Sequence, residues 1–448
     1  MGPCRASGRS GGVDAQTRYR AERLRSAYPR ARRHARPARR PIVRSSRRVR
    51  LRAAGGLRNV TVAGAAPQRR RVVILGSTGS IGVQTLQVIR AHPDRFEVLG
   101  LACGSNSELL FQQIREFRAP LACVRDLDPA AGDWPPDAER LPYPDGMAAM
   151  AALPEADIVV VATVGDAGFR PTESALRAGN NVALASKEML VMGGGLFRKL
   201  ADASGAAILP IDSEHSAIWQ CLVGEAPESI RRLILTASGG PFLTWAMPDI
   251  RTATAEEALE HPNWDMGAKI TVDSASLLNK GLEIIEAHWL FQMPYSAINV
   301  IVHPESIVHS MVEFKDGSIK AQLGVPDMRL PIQYAIGFPE RLAEAHAPLD
   351  LRTLSRLNFE SPDERRFPLL AAARAAGAAG GTAPATLCGA DDAATAWFIE
   401  GAGPFGVMTD AVQAAMDAIP AQPLDNLDTA LAAHRRGFEF VQARLADA

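Results

Sequence analysis

Cysteine, lysine and long apolar runs are all scarce in this chain of 448 residues. Its five cysteines are widely spaced and include no CxxC pair, which argues against a disulfide framework and favours buried, reduced thiols. No apolar run approaches the roughly 18 residues of a membrane-spanning helix, and residues 158–162 (IVVVA) instead predict a buried strand. The length predicts two or three domains, and a composition of 47% hydrophobic and 22% charged residues excludes a wholly disordered chain.

The formal net charge of zero is the sum of two unequal parts. Residues 1–71 contain 21 Arg and two acidic residues, whereas the rest of the chain has an excess of 19 acidic residues. Residues 1–70 lack hydrophobic periodicity, and we expect a disordered extension there. It could be an upstream extension without function, an organelle transit peptide or a nucleic-acid-binding arm. The ratio of 43 Arg to 6 Lys is typical of a GC-rich bacterial genome. It favours an upstream extension without function, and a bacterial cytoplasmic location. A transit peptide would imply a plastid-type organelle, and the acidic remainder of the chain disfavours binding to nucleic acid.

A glycine-rich turn follows the first predicted strand. Residues 72–75 (VVIL) form a short apolar run, residues 76–82 (GSTGSIG) follow at once, and residues 83–92 have helical periodicity. Glycines let the backbone approach a pyrophosphate, and the N-terminus of the next helix offers free N–H groups to it. A plain β–α turn also favours glycine, so it is the strand–turn–helix context that favours a dinucleotide site.

Strands and helices continue to alternate after this turn. Buried strands are predicted over 96–103, 157–163, 181–185 and 206–211, and helices over 107–117, 171–178 and 188–203. The alternation predicts an α/β fold with a Rossmann-like domain over residues 71–211. Gly104-Ser105-Asn106 follows the second strand without the carboxylate that NAD enzymes use to bind the ribose 2′-hydroxyl, so NADPH is favoured over NADH.

Three carboxylates form a candidate metal site. Asp212 and Glu214 follow the last strand of this domain, where an extended segment would point both side chains to one side. Glu283 lies on a predicted helix over 274–286, on the same face as Asn279 and close to Lys280. Such all-oxygen ligation suits Mg²⁺ or Mn²⁺. The alternatives are a solvated acidic turn and a simple Lys280–Glu283 ion pair.

Two segments between these acids have the composition of loops. Residues 238–242 (SGGPF) follow a predicted strand at 233–237 and form a candidate anion-binding turn. Residues 261–267 (HPNWDMG) place Trp264 in a loop, where an exposed indole could close over a ligand and exclude water. Taken singly, each segment is also compatible with ordinary turn chemistry.

Eight segments of the chain together identify a family. They are GSTGSIG (76–82), SKE (186–188), PIDSEHSAIWQ (210–220), SGGPF (238–242), HPNWDMG (261–267), NKGLEIIEA (279–287), HPESIVHSMV (303–312) and AQLGVPDMR (321–329). In this order they resemble the 1-deoxy-D-xylulose 5-phosphate reductoisomerase family. The resemblance implies rearrangement and NADPH-dependent reduction of 1-deoxy-D-xylulose 5-phosphate to 2-C-methyl-D-erythritol 4-phosphate, on the methylerythritol phosphate route to isoprenoids. It also implies a divalent metal, Mn²⁺ or Mg²⁺, with Co²⁺ as a further candidate.

The resemblance also implies roles for individual residues. Cofactor contacts are implied for Thr78, Gly79, Ser80, Ile81, Gly104, Ser105, Asn106, Ser186, Glu188 and Gly267. Metal ligands are implied at Asp212, Glu214 and Glu283, which together with Lys187 form the catalytic group. Substrate contacts are implied for Lys187, Ser213, Glu214, Ser238, His261, Trp264, Met266, Ser274, Asn279, Lys280 and Glu283. Of these, Ser238, Ser274, Asn279 and Lys280 match the pocket for the substrate phosphate.

Three places depart from the family pattern. Ser105 stands where the family often has Lys, Ser186 stands where it has Asn, and residues 387–392 (LCGADD) replace an Asn-rich turn (LNAANE). One positive charge expected for the 2′-phosphate is therefore absent from position 105.

The remaining domains follow from pattern and resemblance together. A central α/β catalytic domain is expected over 212–340, a linker over 341–365 and a helical domain over 366–448, with helices over 367–376, 392–400, 410–418 and 426–445. Residues 375–385 have low complexity and predict a loop. Antiparallel strands are predicted over 299–312 and 318–323, and the family continues such strands into the sheet of a homodimer.

Two other functions compete with this one. An NADP-dependent oxidoreductase of the semialdehyde or homoserine dehydrogenase kind would share the glycine turn. A semialdehyde enzyme would need a nucleophilic cysteine, and Cys221, the only candidate near the site, lies in a predicted helix. A non-catalytic nucleotide sensor with a nucleic-acid-binding arm would leave the three acids unexplained. His215, His303 and His309 are interpreted as hydrogen-bonded core residues and not as metal ligands.

Overall fold

The computed structural model describes residues 69–264, 266–343 and 347–446. The predicted disordered extension covers residues 1–70, so all but its last two residues lie outside this described part. All described residues fall in one unit of the chain, and the domain boundaries at 211, 340 and 365 stay predictions. None of the helices formed by the described residues combines the length and hydrophobicity needed to cross a membrane.

Seven strands form the first sheet, in the order β4-β3-β2-β1-β5-β6-β7, and every pairing in it is parallel. The strands are β1 Arg70–Leu75, β2 Phe96–Cys103, β3 Leu121–Val124, β4 Glu139–Leu141, β5 Ile158–Val161, β6 Asn181–Leu184 and β7 Ile208–Pro210. The helices between them are α1 Ser80–Ala91, α2 Ser107–Phe117, α3 Asp145–Ala151, α4 Phe169–Ala178 and α5 Glu188–Ser204. The predicted Rossmann-like sheet is confirmed. Its strand order reverses at β1, which places the ligand-binding crevice of such folds at the carboxyl end of that strand.

The central strands of this sheet are buried on both faces. Residues 72–75 and 158–161 are at most 1% exposed, as expected where helices cover a parallel sheet on both sides. This double burial explains their unbroken apolar sequences. The edge strand β4 (ERL) is largely exposed and has no such run, and neither it nor β3 is predicted from the sequence.

Four strands form the second sheet, in the order β11-β10-β8-β9. They are β8 Ile230–Ala237, β9 Ile298–Val302, β10 Val308–Phe314 and β11 Ile319–Leu323. The prediction of antiparallel strands is confirmed for β10 and β11, which pair with each other in that way. It is wrong for the first part of 299–312, because β9 is a separate strand that pairs in parallel with one edge of β8, while β10 pairs antiparallel with the other. Residues 303–307 cross between them, and Ser306 adopts a left-handed φ of 53° in the turn.

Six helices accompany the second sheet. They are α6 Ser213–Leu222, α7 Met247–Thr252, α8 Ala255–Leu259, α9 Ala268–Ala275, α10 Leu278–Phe291 and α11 Arg329–Gly337. The prediction of one helix through residues 274–286 is wrong, because α9 ends before α10 begins. Leu277 between them has a left-handed φ of 57°, and Ser276 Oγ accepts the N–H of Leu278 at 3.2 Å. The break lets α10 take a new direction across the site.

The C-terminal part is helical, as predicted. Its helices are α12 Pro368–Ala379, α13 Ala383–Ile399, α14 Phe405–Ala418 and α15 Leu427–Leu445. The loop predicted over 375–385 is wrong, because alanine favours helix and only a short break around Gly380 separates α12 from α13. Residues 387–392 likewise lie inside α13 and not in a turn. Gly389 is required there, since a Cβ would stand 1.8 Å from the carbonyl oxygen of His434 on α15.

Candidate active site

The glycine turn after β1 is shaped by close backbone contacts. Gly76 has a φ of 91°, and a Cβ there would lie 2.2 Å from the carbonyl oxygen of Ala162, at the end of β5. A Cβ on Gly82 would lie 2.2 Å from the carbonyl oxygen of Gly76. Helix α1 begins directly after the turn at Ser80, with Gly79 in the N-cap position. The turn therefore presents the unpaired N–H groups of a helix N-terminus at the carboxyl edge of the sheet.

The second predicted cofactor segment lies beside this turn, after β2. Asn106 is the N-cap of α2, and its Oδ1 accepts the N–H of Leu109 at 3.1 Å. Gly104 and Ser105 precede it, with Ser105 exposed. Ser186 instead donates its hydroxyl to the carbonyl oxygen of Thr163 at 2.5 Å. Glu188 opens α5 and acts electrostatically on Lys269 of α9.

Lys187 joins two of the three predicted metal ligands. Its Nζ lies 2.6 Å from Asp212 Oδ2 and 3.0 Å from Glu283 Oε1, and it donates to Asn279 Oδ1 at 2.7 Å. Burial opposes a charged amine, but Asp212 and Glu283 outweigh it and raise the pKa of Lys187 well above its usual value. Burial would likewise raise the pKa of Asp212, yet Lys187 holds it well below the usual range. The site therefore contains fixed, ionised groups that are excluded from water.

Lys280 joins the third acid to the same cluster. Its Nζ lies 2.7 Å from Glu214 Oε1 and 2.6 Å from Glu283 Oε2. Burial and the neighbouring carboxylate of Glu283 raise the pKa of Glu214 to about 7. Ser213 Oγ donates to the other oxygen of Glu214 at 2.6 Å. Glu283, only 1% exposed, is thus the carboxylate that both lysines share.

The local geometry of Asp212 and Glu214 differs from the prediction. They do not lie on an extended segment, because Asp212 is the N-cap of α6 and its Oδ1 accepts the N–H of Glu214 at 3.3 Å. Aspartate is a preferred N-cap residue, and this local preference prevails over continuation of the strand. The two carboxylates consequently face different lysines.

His215 and Glu286 lie directly behind Asp212. The ring of His215 is fully buried, and its Nε2 donates to the carbonyl oxygen of Glu283 at 2.9 Å. Its Nδ1 lies 3.4 Å from Asp212 and 3.6 Å from Glu286, so carboxylates surround it. Burial lowers the pKa of this imidazole, but Glu286 and Asp212 raise it to about 9. Ligand-capable atoms of Asp212, His215 and Glu283 lie within 4.8 Å of one another, whereas the sequence did not predict His215 at the site.

The predicted phosphate pocket is built from three elements. Ser238 follows β8, and its Oγ lies 3.0 Å from His261 Nε2 and accepts the N–H of Gly240 at 3.2 Å. Ser274 lies near the end of α9, while Asn279 and Lys280 lie in the first turn of α10. A Cβ on Gly240 would lie 2.7 Å from the carbonyl oxygen of Ser274, so this glycine lets the turn after β8 approach α9.

The Trp264 loop contributes to the wall of this pocket, which Trp264 and Met266 line. Its first residue, His261, accepts the N–H of Trp264 on Nδ1 at 3.0 Å, and the loop ends at Gly267, the N-cap of α9. The Trp264 side chain is half-buried, with its ring centroid 6.2 Å from that of His309. Within the predicted loop, Asp265 lies outside the described residues.

One cavity of about 210 Å³ brings most of these groups together. It is lined by Asp212 and by all eleven predicted substrate-binding residues, and also by Ser80, Ile81 and Gly267 of the cofactor set. The other predicted cofactor residues, Thr78, Gly79, Gly104, Ser105, Asn106, Ser186 and Glu188, do not line it. Ten lining residues were missed by sequence reasoning: Gln84, Ala185, Thr236, Ala237, Ile270, Leu277, Ser306, Val308, His309 and Met328. The family-like segments at 303–312 and 321–329 contain Ser306, Val308, His309 and Met328 and were the available signal for these four.

Comparison with sequence families matches three parts of the chain. Residues 72–194 match the family described as 1-deoxy-D-xylulose 5-phosphate reductoisomerase, and residues 208–291 match the C-terminal domain of the same family. Residues 323–438 match a second domain description, DXP reductoisomerase C-terminal domain.

Individual relatives and solved structures agree with these matches. A reductoisomerase of this name from Pelotomaculum thermopropionicum is 51% identical over 355 residues, which cover 78% of this chain and 91% of the relative. One from Anaeromyxobacter dehalogenans is 50% identical over 379 residues, covering 84% and 97%. The structure of the Zymomonas mobilis enzyme in complex with NADPH has a TM-score of 0.79 and 37% identity, covering 85% of this chain and 100% of that one. A DOX-P reductoisomerase structure with NADPH, fosmidomycin and magnesium has a TM-score of 0.78 and 38% identity, covering 84% and 98%.

Proposed function

We propose that this chain, which belongs to the 1-deoxy-D-xylulose 5-phosphate reductoisomerase family, converts 1-deoxy-D-xylulose 5-phosphate to 2-C-methyl-D-erythritol 4-phosphate. The reaction couples a skeletal rearrangement to reduction by NADPH and requires a divalent metal, as the ligands in the related structures support. One observation carries the proposal. Asp212, Glu214 and Glu283 converge with two lysines in a single cavity, which Ser80 and Ile81 after the glycine turn and Trp264 also line.

The donor set fits Mg²⁺ or Mn²⁺ better than zinc. The three acids offer only oxygen ligands, and such ligands suit hard divalent cations. His215 lies behind these acids and helps to position Glu283, since its Nε2 donates to the backbone carbonyl oxygen of that residue. Co²⁺ remains a further candidate for the same oxygen set. When bound, the cation supplies Lewis-acid polarisation of the substrate's carbonyl and hydroxyl oxygens.

The glycine turn fits the pyrophosphate of NADPH. Gly76 and Gly82 are needed for the tight turn, because a Cβ on either would collide with backbone. The turn leads into the N-terminus of α1, whose free N–H groups suit a pyrophosphate. The proposed cofactor contacts are Thr78, Gly79, Ser80, Ile81, Gly104, Ser105, Asn106, Ser186, Glu188 and Gly267. Ser80 and Ile81 line the cavity together with the acids, so the reducing end of the cofactor can reach the substrate.

The chain's own residues would bind and orient the substrate in distinct ways. Lys187 holds a permanent positive charge, which stabilises negative charge developing on the substrate oxygens. Lys280, Asn279, Ser238 and Ser274 would hold the phosphate, and this remote binding energy helps to position the reacting carbons. Closure of the loop carrying Trp264 would exclude water from the intermediate.

We expect the full chain to oxidise NADPH in the presence of both 1-deoxy-D-xylulose 5-phosphate and Mg²⁺ or Mn²⁺. Treatment with a chelator should abolish the signal, because it removes the cation that polarises the substrate's carbonyl and hydroxyl oxygens, and added metal should restore it. Absorbance of NADPH at its nicotinamide band measures the rate, and product analysis identifies the branched phosphate. A rate that persists in excess chelator, or NADPH oxidation without that product, would contradict the proposal.

We further propose that the chain forms a homodimer through strand β11. This strand lies at the edge of the second sheet, and Ile319 and Leu323 on it are 54% and 38% exposed. An exposed apolar edge strand is a template for pairing with another chain.

Light scattering should give about twice the 47.9 kDa of one chain. Ile319→Lys with Leu323→Lys should give the monomer, whereas Leu351→Lys, at another exposed apolar residue, should not. A monomeric parent chain at micromolar concentration would refute the assignment.

We also propose a bacterial cytoplasmic location. The matching relatives are bacterial, and the four cysteines among the described residues are free and buried. Such unpaired thiols favour a reducing compartment.

A further inference from the structure

The segments that follow β1, β2 and β3 contain a single basic residue. Residues 76–79 and 104–106, after β1 and β2, have none, and residues 125–128, after β3, begin with Arg125. In a dinucleotide fold, the end of β2 is where the ribose of the adenosine half is recognised. A 2′-phosphate bound there needs a positive charge, and Ser105 cannot provide the one that a lysine at its position would provide. Any compensating charge in these segments must come from Arg125.

The structure places Arg125 beside the end of β2. Its N–H donates to the carbonyl oxygen of Cys103 at 3.2 Å, and the N–H of Asp126 donates to that of Gly104 at 3.0 Å. The register of the parallel strands thus continues into both turns. A Cβ on Gly104 would lie 3.6 Å from a terminal nitrogen of the Arg125 guanidinium, so this side chain lies directly over Gly104.

Arg125 is held loosely enough to change partner. Its Nε lies 2.7 Å from Asp126 Oδ2, but the two side chains are 52% and 60% exposed. Exposed ion pairs of this kind are weak. A phosphate monoester offers up to two charges and several oxygens, and its geometry matches the planar guanidinium in a bidentate manner. Exchange of the Asp126 carboxylate for such a phosphate is therefore favourable.

We propose that Arg125 binds the 2′-phosphate of NADPH and is the residue by which this chain discriminates NADPH from NADH. It takes over from a lysine at position 105 by reaching across from the neighbouring strand. This inference rests on the proposed function, since it assigns a residue to the cofactor of that same reaction.

The test compares equilibrium binding of NADPH and NADH to the full chain, measured by nucleotide fluorescence in the absence of substrate. In Arg125→Met we expect the dissociation constant for NADPH to rise about 10- to 100-fold, the range of one charge-assisted contact. That for NADH should stay within about two-fold, which also shows that the variant is folded. Arg125→Lys should retain most of the preference, because it restores a charge at the same place. In turnover, KM for NADPH should rise in Arg125→Met while kcat stays within about three-fold.

Asp126→Asn is the matched control. It removes the other half of the ion pair, so it should leave NADPH binding unchanged or tighten it. If the ion pair only supported the local structure, Asp126→Asn and Arg125→Met would change NADPH binding in the same way. An NADPH-to-NADH ratio that is unchanged in Arg125→Met would overturn the role of Arg125. Failure of the parent chain to bind NADPH would instead overturn the proposed function, so the two failures are distinguishable.

Discussion

Glu283→Gln should retain the fold of the parent chain and lower turnover about a thousand-fold or more. Glutamine has nearly the shape of glutamate, so the buried side chain can still contact Asn279 and Lys280. It removes the one negative charge that both lysines share, and with it a proposed ligand to the metal. Losses of this size are typical when charge stabilisation at a reacting centre is removed. The measurement is kcat at saturating substrate, NADPH and Mg²⁺, together with a thermal unfolding midpoint.

Glu313 provides a matched control for this change. It is also a buried glutamate between two cations, Arg231 and Arg232, but it lies on β10 and does not line the cavity. Glu313→Gln should therefore leave turnover within about two-fold of the parent value, even if it lowers the unfolding midpoint. If Glu283→Gln turned over at a near-normal rate when metal is limiting, the metal site could not be where we place it.

The sequence predicts the first domain well because its strands are buried on both faces. The central strands β1 and β5 appear as unbroken apolar runs over 72–75 and 158–161. The bounds of β2 and α2, residues 96–103 and 107–117, are also as predicted. The edge strand β4 has no apolar run, since most of its surface meets water. Only pairing with β3 defines it, and pairing leaves no local pattern in a sequence.

The candidate site is predicted as a set of residues but not as a set of contacts. Periodicity places Asn279 and Glu283 on one helical face, and they do hydrogen bond at 2.7 Å. It cannot reveal that Lys187, 96 residues before Glu283 in the sequence, inserts its ammonium between Asp212 and Glu283. The same holds for the break between α9 and α10, because leucine rarely adopts the left-handed conformation that Leu277 has there.

Lys269 on α9 lies at the centre of a second ion cluster, in which two buried aspartates face its ammonium. We expect the loss of this lysine to have a large effect on stability. The ammonium of Lys269 pairs with Asp273 on its own helix at 2.7 Å and with Asp391 on α13, and Asp392 follows at 3.6 Å. Asp273 and Asp391 are 3% and 2% exposed. Burial and the neighbouring carboxylate of Asp391 raise the pKa of Asp273 well above its usual value, and Lys269 opposes that rise. The lysine thus allows two buried acids to approach each other.

Lys269→Met should lower the free energy of unfolding by roughly 3 kcal/mol at pH 8, because it leaves buried carboxylates without their counter-charge. The loss should shrink as the pH falls towards 5. In the folded variant the pKa values of Asp273 and Asp391 rise further, so these carboxyls bind protons at a pH where the unfolded chain has released them. Proton binding therefore stabilises the folded variant at low pH, and this stabilisation is lost as the pH rises through the folded-state pKa values. Urea unfolding of the parent and the variant from pH 5 to 8 measures the difference.

Two further variants serve as controls for the Lys269→Met result. Adding Asp273→Asn to Lys269→Met should restore part of the stability at pH 8, whereas Lys199→Met, at an exposed position of α5, should change it by less than about 0.5 kcal/mol. A deficit of equal size at pH 5 and pH 8 would mean that lost packing of the lysine stem, and not its charge, holds α9 to α13.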